Sequence, residues 1–188
     1  MILSSLRTIR VLSVDPTSKG FGFAVLEGPG QLIDWGVKHV RADGGRRNQD
    51  CLEKVAALIV RFQPDVFVVE RTGVKGCLRR PRVRRLIKSL LTLARHHDLR
   101  VRRISRRTVL RCFSQTSAAK KYQVAVALAR QFPELELHLP PERRLGDSED
   151  ERMSIFDALA LGYASYESMR RARRVLSLPS PKTSLRNA

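Results

Sequence analysis

The sequence predicts an α/β domain built on a mixed, five-stranded sheet flanked by helices, and three observations carry that prediction. The chain opens with closely spaced alternating segments that read as antiparallel hairpins. Later apolar runs are separated by long helical stripes. A length of 188 residues at 43% hydrophobic suits one medium domain with a core.

Taken in order, Thr8 to Asp15 is an apolar strand ending in an acid, Pro16 to Lys19 a turn, and Gly20 to Leu26 a second strand. Glu27 to Gly30 turn the chain into a third strand around Leu32 to Val40. After a polar loop containing Gly44 and Gly45, a helix is expected from Asn48 to Phe62, apolar at Leu52, Val55, Ala56 and Ile59. Asp65 to Glu70 is a short β-branched strand, again ending in an acid. Arg82 to His97 reads as a helix with Val83, Leu86, Ile87, Leu90, Leu91 and Ala94 on one face and arginines on the other. A fifth strand at Leu99 to Ile104, a helical turn at Thr108 to Phe113 and a helix at Ser117 to Gln131 follow. Ser148 and Glu151 form a capping-box pattern that opens a last helix, Glu149 to Met169. Residues 1–169 therefore make one domain, and 170–188 a basic tail.

Charge is segregated along the chain. The total is 36 Lys plus Arg against 18 Asp plus Glu, a formal +18. Residues 71–131 carry 18 basic side chains and one acid, Asp98, whereas 132–169 carry nine acids and three basic residues. A basic block of that density repels itself and calls for a polyanionic partner. Nucleic acid is favoured over a membrane surface, because no broad Trp/Phe/Leu face accompanies the basic segments. No apolar run is long enough to span a bilayer, and Met1 to Arg10 lacks the apolar region of a secretory signal. Cys51, Cys77 and Cys112 are odd in number and without CxxC spacing. They argue against a disulfide framework or zinc site and suit a cytoplasmic location.

Three acids stand where chemistry would want them. Asp15 and Glu70 each end a hydrophobic strand, and Asp157 lies within Ile155-Phe-Asp-Ala-Leu-Ala-Leu161. A carboxylate among apolar residues is costly to bury without a cation or hydrogen-bond partner. Converging carboxylates suit a hard divalent ion such as Mg²⁺, and two such ions can activate water and stabilise the leaving oxygen of a phosphodiester. Simpler readings coexist: Asp-Pro-Thr-Ser is good turn sequence, and Glu70 can pair with a nearby arginine.

These residues resemble a known family. Val11-Leu-Ser-Val-Asp-Pro-Thr17 with Gly20-x-Gly-x-Ala24 is similar to the first hairpin of RuvC-like nucleases. Phe62-Gln-Pro-Asp-x-x-x-x-Glu70 resembles the step into their second acid, Ala119-Lys-Lys-Tyr-Gln-Val124 a basic helix start, and Asp157-Ala-Leu-Ala-Leu161 the last catalytic helix. The match spans roughly residues 9–166 with motif order preserved. The resemblance implies a ribonuclease H-like fold and Mg²⁺-dependent cleavage of branched DNA such as Holliday junctions, with Mn²⁺ able to substitute. It further implies a homodimer, with Asp15, Glu70 and Asp157 as catalytic metal ligands. Three departures stand out. The position of a further family acid or His is Ser154, a ligand only through water, with Asp150 two turns before Asp157, about 10.5 Å along a helix. The loop Arg71 to Cys77 has no aromatic wedge, and Leu110 stands where the family keeps a lysine.

Phosphate contacts are expected from Arg71, Lys75, Arg79, Arg80, Arg82, Arg84 and Arg85, a cluster without the acids that usually support an exposed helix face. Lys120 and Lys121, at a helix N-terminus, join them. Two other readings stay open at the level of sequence: a RuvC-like nuclease for structured RNA, and a nucleic-acid-binding subunit with a weakened nuclease site in a larger complex.

Overall fold

The computed structural model describes residues 8–41, 46–73, 79–113, 120–144 and 146–176, with side chains described as far as 172. Lys75, Cys77, the Gly44-Gly45 loop, Ser117 to Ala119 and the tail beyond 176 lie outside the described residues. Strand β1 (Arg10–Pro16) pairs antiparallel with β2 (Gly20–Glu27), which pairs antiparallel with β3 (Leu32–His39). Helix α1 (Arg46–Phe62) leads into β4 (Val66–Glu70), parallel to β1. Helix α2 (Pro81–His96) leads into β5 (Arg100–Ile104), parallel to β4. The sheet order is β3-β2-β1-β4-β5, the mixed five-stranded sheet that the sequence predicts. Helices α3 (Arg106–Phe113) and α4 (Lys121–Gln131), a 3-10 helix at Pro133–His138 and α5 (Met153–Leu176) complete the chain. Among the described residues no helix is long and apolar enough to cross a membrane.

Strand periodicity divides the core in two. Leu12, Val14, Phe21, Phe23, Val25, Phe67 and Val69 face α1 and α2. Val11, Ala24, Leu26, Val66 and Val68 face α4 and α5. Because side chains alternate along a strand, Asp15 and Glu70 fall on the second of these faces, the one covered by α5. The parallel pairing of β1 with β4, in register at Val14 and Val69, sets the two acids side by side one residue later. The strand ends of the parallel β1, β4 and β5 thus lie at one end of the sheet, together with the start of α2.

Helix α5 lies directly on β1 and β2, and two glycines make that approach possible. Gly22, opposite Asp15 in register, has no room for a Cβ, which would fall 2.2 Å from the Ser154 carbonyl oxygen. At Gly162 a Cβ would fall 2.7 Å from Leu26 Cδ1 and 2.8 Å from Ser13 Oγ. Tyr166, farther along α5, anchors the other end by donating to the Ile9 carbonyl at 2.6 Å while accepting from the Gly28 N–H at 3.0 Å.

The last helix departs from the sequence expectation at both ends. It begins at Met153, because Glu149, Asp150 and Glu151 are drawn elsewhere. Asp150 accepts from the Arg152 N–H at 2.9 Å and from its guanidinium at 2.7 Å, while Glu151 pairs with Lys19 at 2.8 Å. These contacts hold the segment in turns, and the Ser148/Glu151 pattern is not used as a capping box. At its far end α5 continues past Met169 to Leu176, where arginine is a good helix former and Arg170 pairs with Glu167 one turn back at 2.8 Å. Helix α3 is likewise two turns long, opened by Ser105, whose hydroxyl accepts from the Thr108 N–H at 3.1 Å.

Gly22→Ala must displace backbone and should cost about 2–3 kcal/mol, whereas Gly162→Ala meets only side-chain ends and should cost less. Urea melts of the two variants check this, with equal costs contradicting the close approach at Gly22.

Candidate active site

The three acids singled out in the sequence gather at one end of the sheet, and each is held by a cation supplied by the chain. Asp15 is only 2% exposed. Its Oδ1 accepts from Arg79 Nη2, and Arg79 Nε donates to Glu70 Oε2 at 2.6 Å. The same guanidinium donates from Nη1 to the Pro16 carbonyl at 2.9 Å. Arg79 reaches this point because it lies two residues before the first residue of α2, Pro81, and that helix starts at the same sheet end as the acids. Asp157, on the first turns of α5, pairs with Lys121 Nζ at 2.6 Å. Lys121 opens α4 and also pairs with Glu149.

Ser154 is buried one turn before Asp157, over Gly22, and its hydroxyl donates to the Glu151 carbonyl at 2.6 Å. Asp150 is committed to Arg152, which holds its carboxyl below the usual carboxylate range. Among the described residues no three His, Cys, Asp or Glu side chains converge closely enough to hold one metal ion. The donor set nevertheless fits a hard divalent cation: it consists of carboxylate oxygens, and Asp15 and Glu70 already clasp one positive group between them.

The remaining basic residues divide into two groups. Arg82 is turned inward, donating to Asn48 Oδ1 at 2.7 Å and to the Thr17 and Ser18 carbonyls at 2.8 Å, so it ties α2 to the β1–β2 turn. Arg79 and Lys121 are likewise engaged with acids. Arg71, Arg80, Arg84, Arg85 and Lys120 are exposed and form no ion pair among the described residues. Arg100, Arg103, Arg106 and Arg107, on β5 and α3, are exposed in the same way and extend the basic surface along that edge.

No family model matches the chain, and no curated protein matches it. Solved structures do. The Thermus thermophilus RuvC structure aligns with a TM-score of 0.65 at 20% identity, over 87% of this chain and 97% of that one. This chain has the RuvC fold. T. thermophilus RuvC in complex with Holliday junction substrate aligns at 0.63 and 18% identity, over 87% of this chain and 96% of that one. The yeast mitochondrial Holliday junction resolvase aligns at 0.57 and 16% identity, over 90% of this chain and 83% of that one.

Within the RuvC fold of this chain burial raises the proton affinity of two of the acids, Asp15 and Asp157. Burial pushes Asp15 up to about 7; Arg79 opposes the shift, and the nearby Asp157 and Glu70 add to it. Asp157 is raised as well, by burial that Lys121 only partly offsets. Burial also disfavours the Lys121 ammonium, but Asp157 and Glu149 more than compensate and hold it above its usual value. Sequence reading passed over Glu149, assigned to a helix N-terminus that it does not occupy, and over the carboxylate-bridging position of Arg79. The one available signal for Arg79 was its place just before Pro81, at the entry to a helix that starts beside the strand-end acids.

A carboxylate whose folded-state value lies above its unfolded value binds a proton on folding, so stability falls as pH rises between the two. For Asp15 that window runs from its ordinary value of 3.8 to about 7. In EDTA at pH 8, Asp15→Asn should therefore melt about 3–6 °C above wild type, and the gap should shrink toward pH 5. Melting curves across that range check it; a gap that widens on acidification would mean the carboxylate stabilises the fold.

Proposed function

We propose that this chain is a divalent-metal-dependent, structure-selective endonuclease that cuts branched DNA and works as a homodimer. The observation that carries the reading is the meeting of Asp15, Glu70 and Asp157 from three separate elements at one end of a RuvC-type sheet. Gathering acids around the buried Asp15 is unfavourable for stability and is a common signature of a site kept for chemistry. The likeness to resolvase structures adds support for DNA as the substrate class.

In this reading Asp15, Glu70 and Asp157 hold Mg²⁺, with Mn²⁺ able to substitute. The bound ions supply an activated water and charge stabilisation at the leaving oxygen. The buried Asp15 sits on β1, where pairing on both sides and the α5 contact at Gly22 fix its backbone. Asp157 pairs with Lys121, which also pairs with Glu149, and that ammonium would be at hand for the negative charge that grows on the phosphate during displacement. Ser154, fastened to the Glu151 carbonyl, positions the first turn of α5 and with it Asp157. The exposed arginines of α2 and α3 grip the DNA backbone, which aligns the substrate without reading its sequence.

Single-turnover assays on four-way, flap and single-stranded DNA, and on matched RNA, in Mg²⁺ and in EDTA test the reading. Asp15→Asn, Glu70→Gln and Asp157→Asn should each lower cleavage more than about 100-fold while leaving DNA binding intact or tighter. Full activity in any one variant removes that residue from the site. Cleavage of RNA alone would reassign the substrate, and no cleavage of any substrate would leave a binding module.

Binding should weaken steeply with salt. Neutralising Arg80, Arg84 and Arg85 together should flatten the log–log slope by about two to three units. Arg82→Ala should lower the melting temperature and leave the slope nearly unchanged, since its guanidinium is spent inside the fold. The opposite pattern would return Arg82 to the DNA surface.

A further inference from the structure

The cation between Asp15 and Glu70 is part of the polypeptide. One guanidinium takes an oxygen from each of two carboxylates that belong to different strands, and its third contact is a main-chain carbonyl at the end of β1. A divalent ion held by Asp15 and Glu70 would draw on the same two carboxylates. A metal ion and a guanidinium would compete for them and repel each other at short range.

We propose that Arg79 is a resident counter-ion that a divalent metal must displace, so that Arg79 sets the metal affinity of the site and links it to DNA binding. The inference rests on the nuclease reading above and concerns how that site is regulated. The side chain is 27% exposed, so it is not sealed in. It stands beside the exposed Arg80 at the entry to α2, outside the strands that carry the two acids. Once released, the guanidinium remains tethered next to the acids, where a phosphate oxygen pair is its natural bidentate partner. A DNA phosphate at the site therefore favours the released state, and the released state favours the metal. By thermodynamic reciprocity each ligand tightens the other by the same factor.

In the absence of DNA the acids are neutralised internally, which keeps the buried Asp15 from facing Glu70 without a cation and holds metal affinity down. On DNA the cation is exchanged for a metal, and the nuclease is armed only where a phosphate is present. A purely structural ion pair would do neither. Removing it would loosen the strand ends and weaken any metal bound there.

The experiment is equilibrium binding of Mn²⁺ to the full chain, followed by electron paramagnetic resonance of the free ion, for wild type, Arg79→Gln and Arg79→Lys. Arg79→Gln should bind Mn²⁺ about tenfold tighter than wild type, within the usual range of coupling between sites. Arg79→Lys, which keeps a positive charge, should stay within about threefold of wild type. Melting curves give a second readout that survives a weakened fold. Arg79→Gln should melt below wild type in EDTA and gain more on addition of Mn²⁺, since stabilisation follows the ratio of ligand concentration to Kd. Unchanged or weaker Mn²⁺ affinity in Arg79→Gln, or an equal or smaller gain in melting temperature, overturns the proposal. Unchanged affinity with intact DNA cleavage would overturn this inference and leave the nuclease standing. Tighter Mn²⁺ binding without cleavage of any substrate would do the reverse.

Discussion

The carboxylate of Asp15, 2% exposed at the end of a fully paired strand, needs a positive partner, and the architecture around it is arranged to provide one. Removing an ionised carboxylate from water costs several kcal/mol unless charge and hydrogen bonds replace the solvent. Here the nearest compensation is Arg79, shared with Glu70, and a second pair, Lys121 with Asp157, lies close enough to act on the same carboxyl group. The sheet order follows the same need. Parallel pairing of β1 with β4 aligns their C-terminal acids, and side-chain alternation turns both toward α5.

That arrangement has a cost in packing, carried by residues with little or no side chain. Gly22 and Gly162 let α5 lie against β1 and β2, and Ser13, whose hydroxyl donates to the Ala24 carbonyl at 3.2 Å, sits beneath the helix without leaving a polar group unpaired. The basic block reads the same way. Of the arginines clustered near α2, Arg79 and Arg82 turn inward to acids and carbonyls, and Arg80, Arg84 and Arg85 are exposed. One run of sequence therefore supplies both internal counter-charge and an exposed basic surface, the two uses interleaved along the start of α2.

Much of the fold is legible in the sequence because it depends on local periodicity. The alternation through Thr8 to Leu26, the β-branched run before Glu70 and the apolar stripe of α2 each specify an element without reference to the rest of the chain. The position of the three acids is legible for the same reason, since a strand-end acid and an acid inside an apolar helix both break a pattern. Contacts between distant residues are not. Arg79 and Asp15 are 64 residues apart, and Arg82 and Thr17 are 65 apart, so both arginines resemble their exposed neighbours until the chain is folded. The start of α5 was obscured by a local signal that tertiary contacts override: Glu151 fits a capping box but is claimed by Lys19 and His39. Glu70 satisfies two readings at once, as an ion pair with a nearby arginine and as a member of the acid cluster.

On the function proposed above, the acids at the ends of β1 and β4 and on α5 form one metal-binding site in which Arg79 and Lys121 hold the place of metal. The most direct measurement is an anomalous difference map from crystals grown with Mn²⁺. Manganese should be bound to Asp15, with Glu70 or Asp157 as a further ligand and the Arg79 guanidinium turned away from both strand ends. Manganese absent from these acids at saturating concentration, with Arg79 still bridging Asp15 and Glu70, would contradict it.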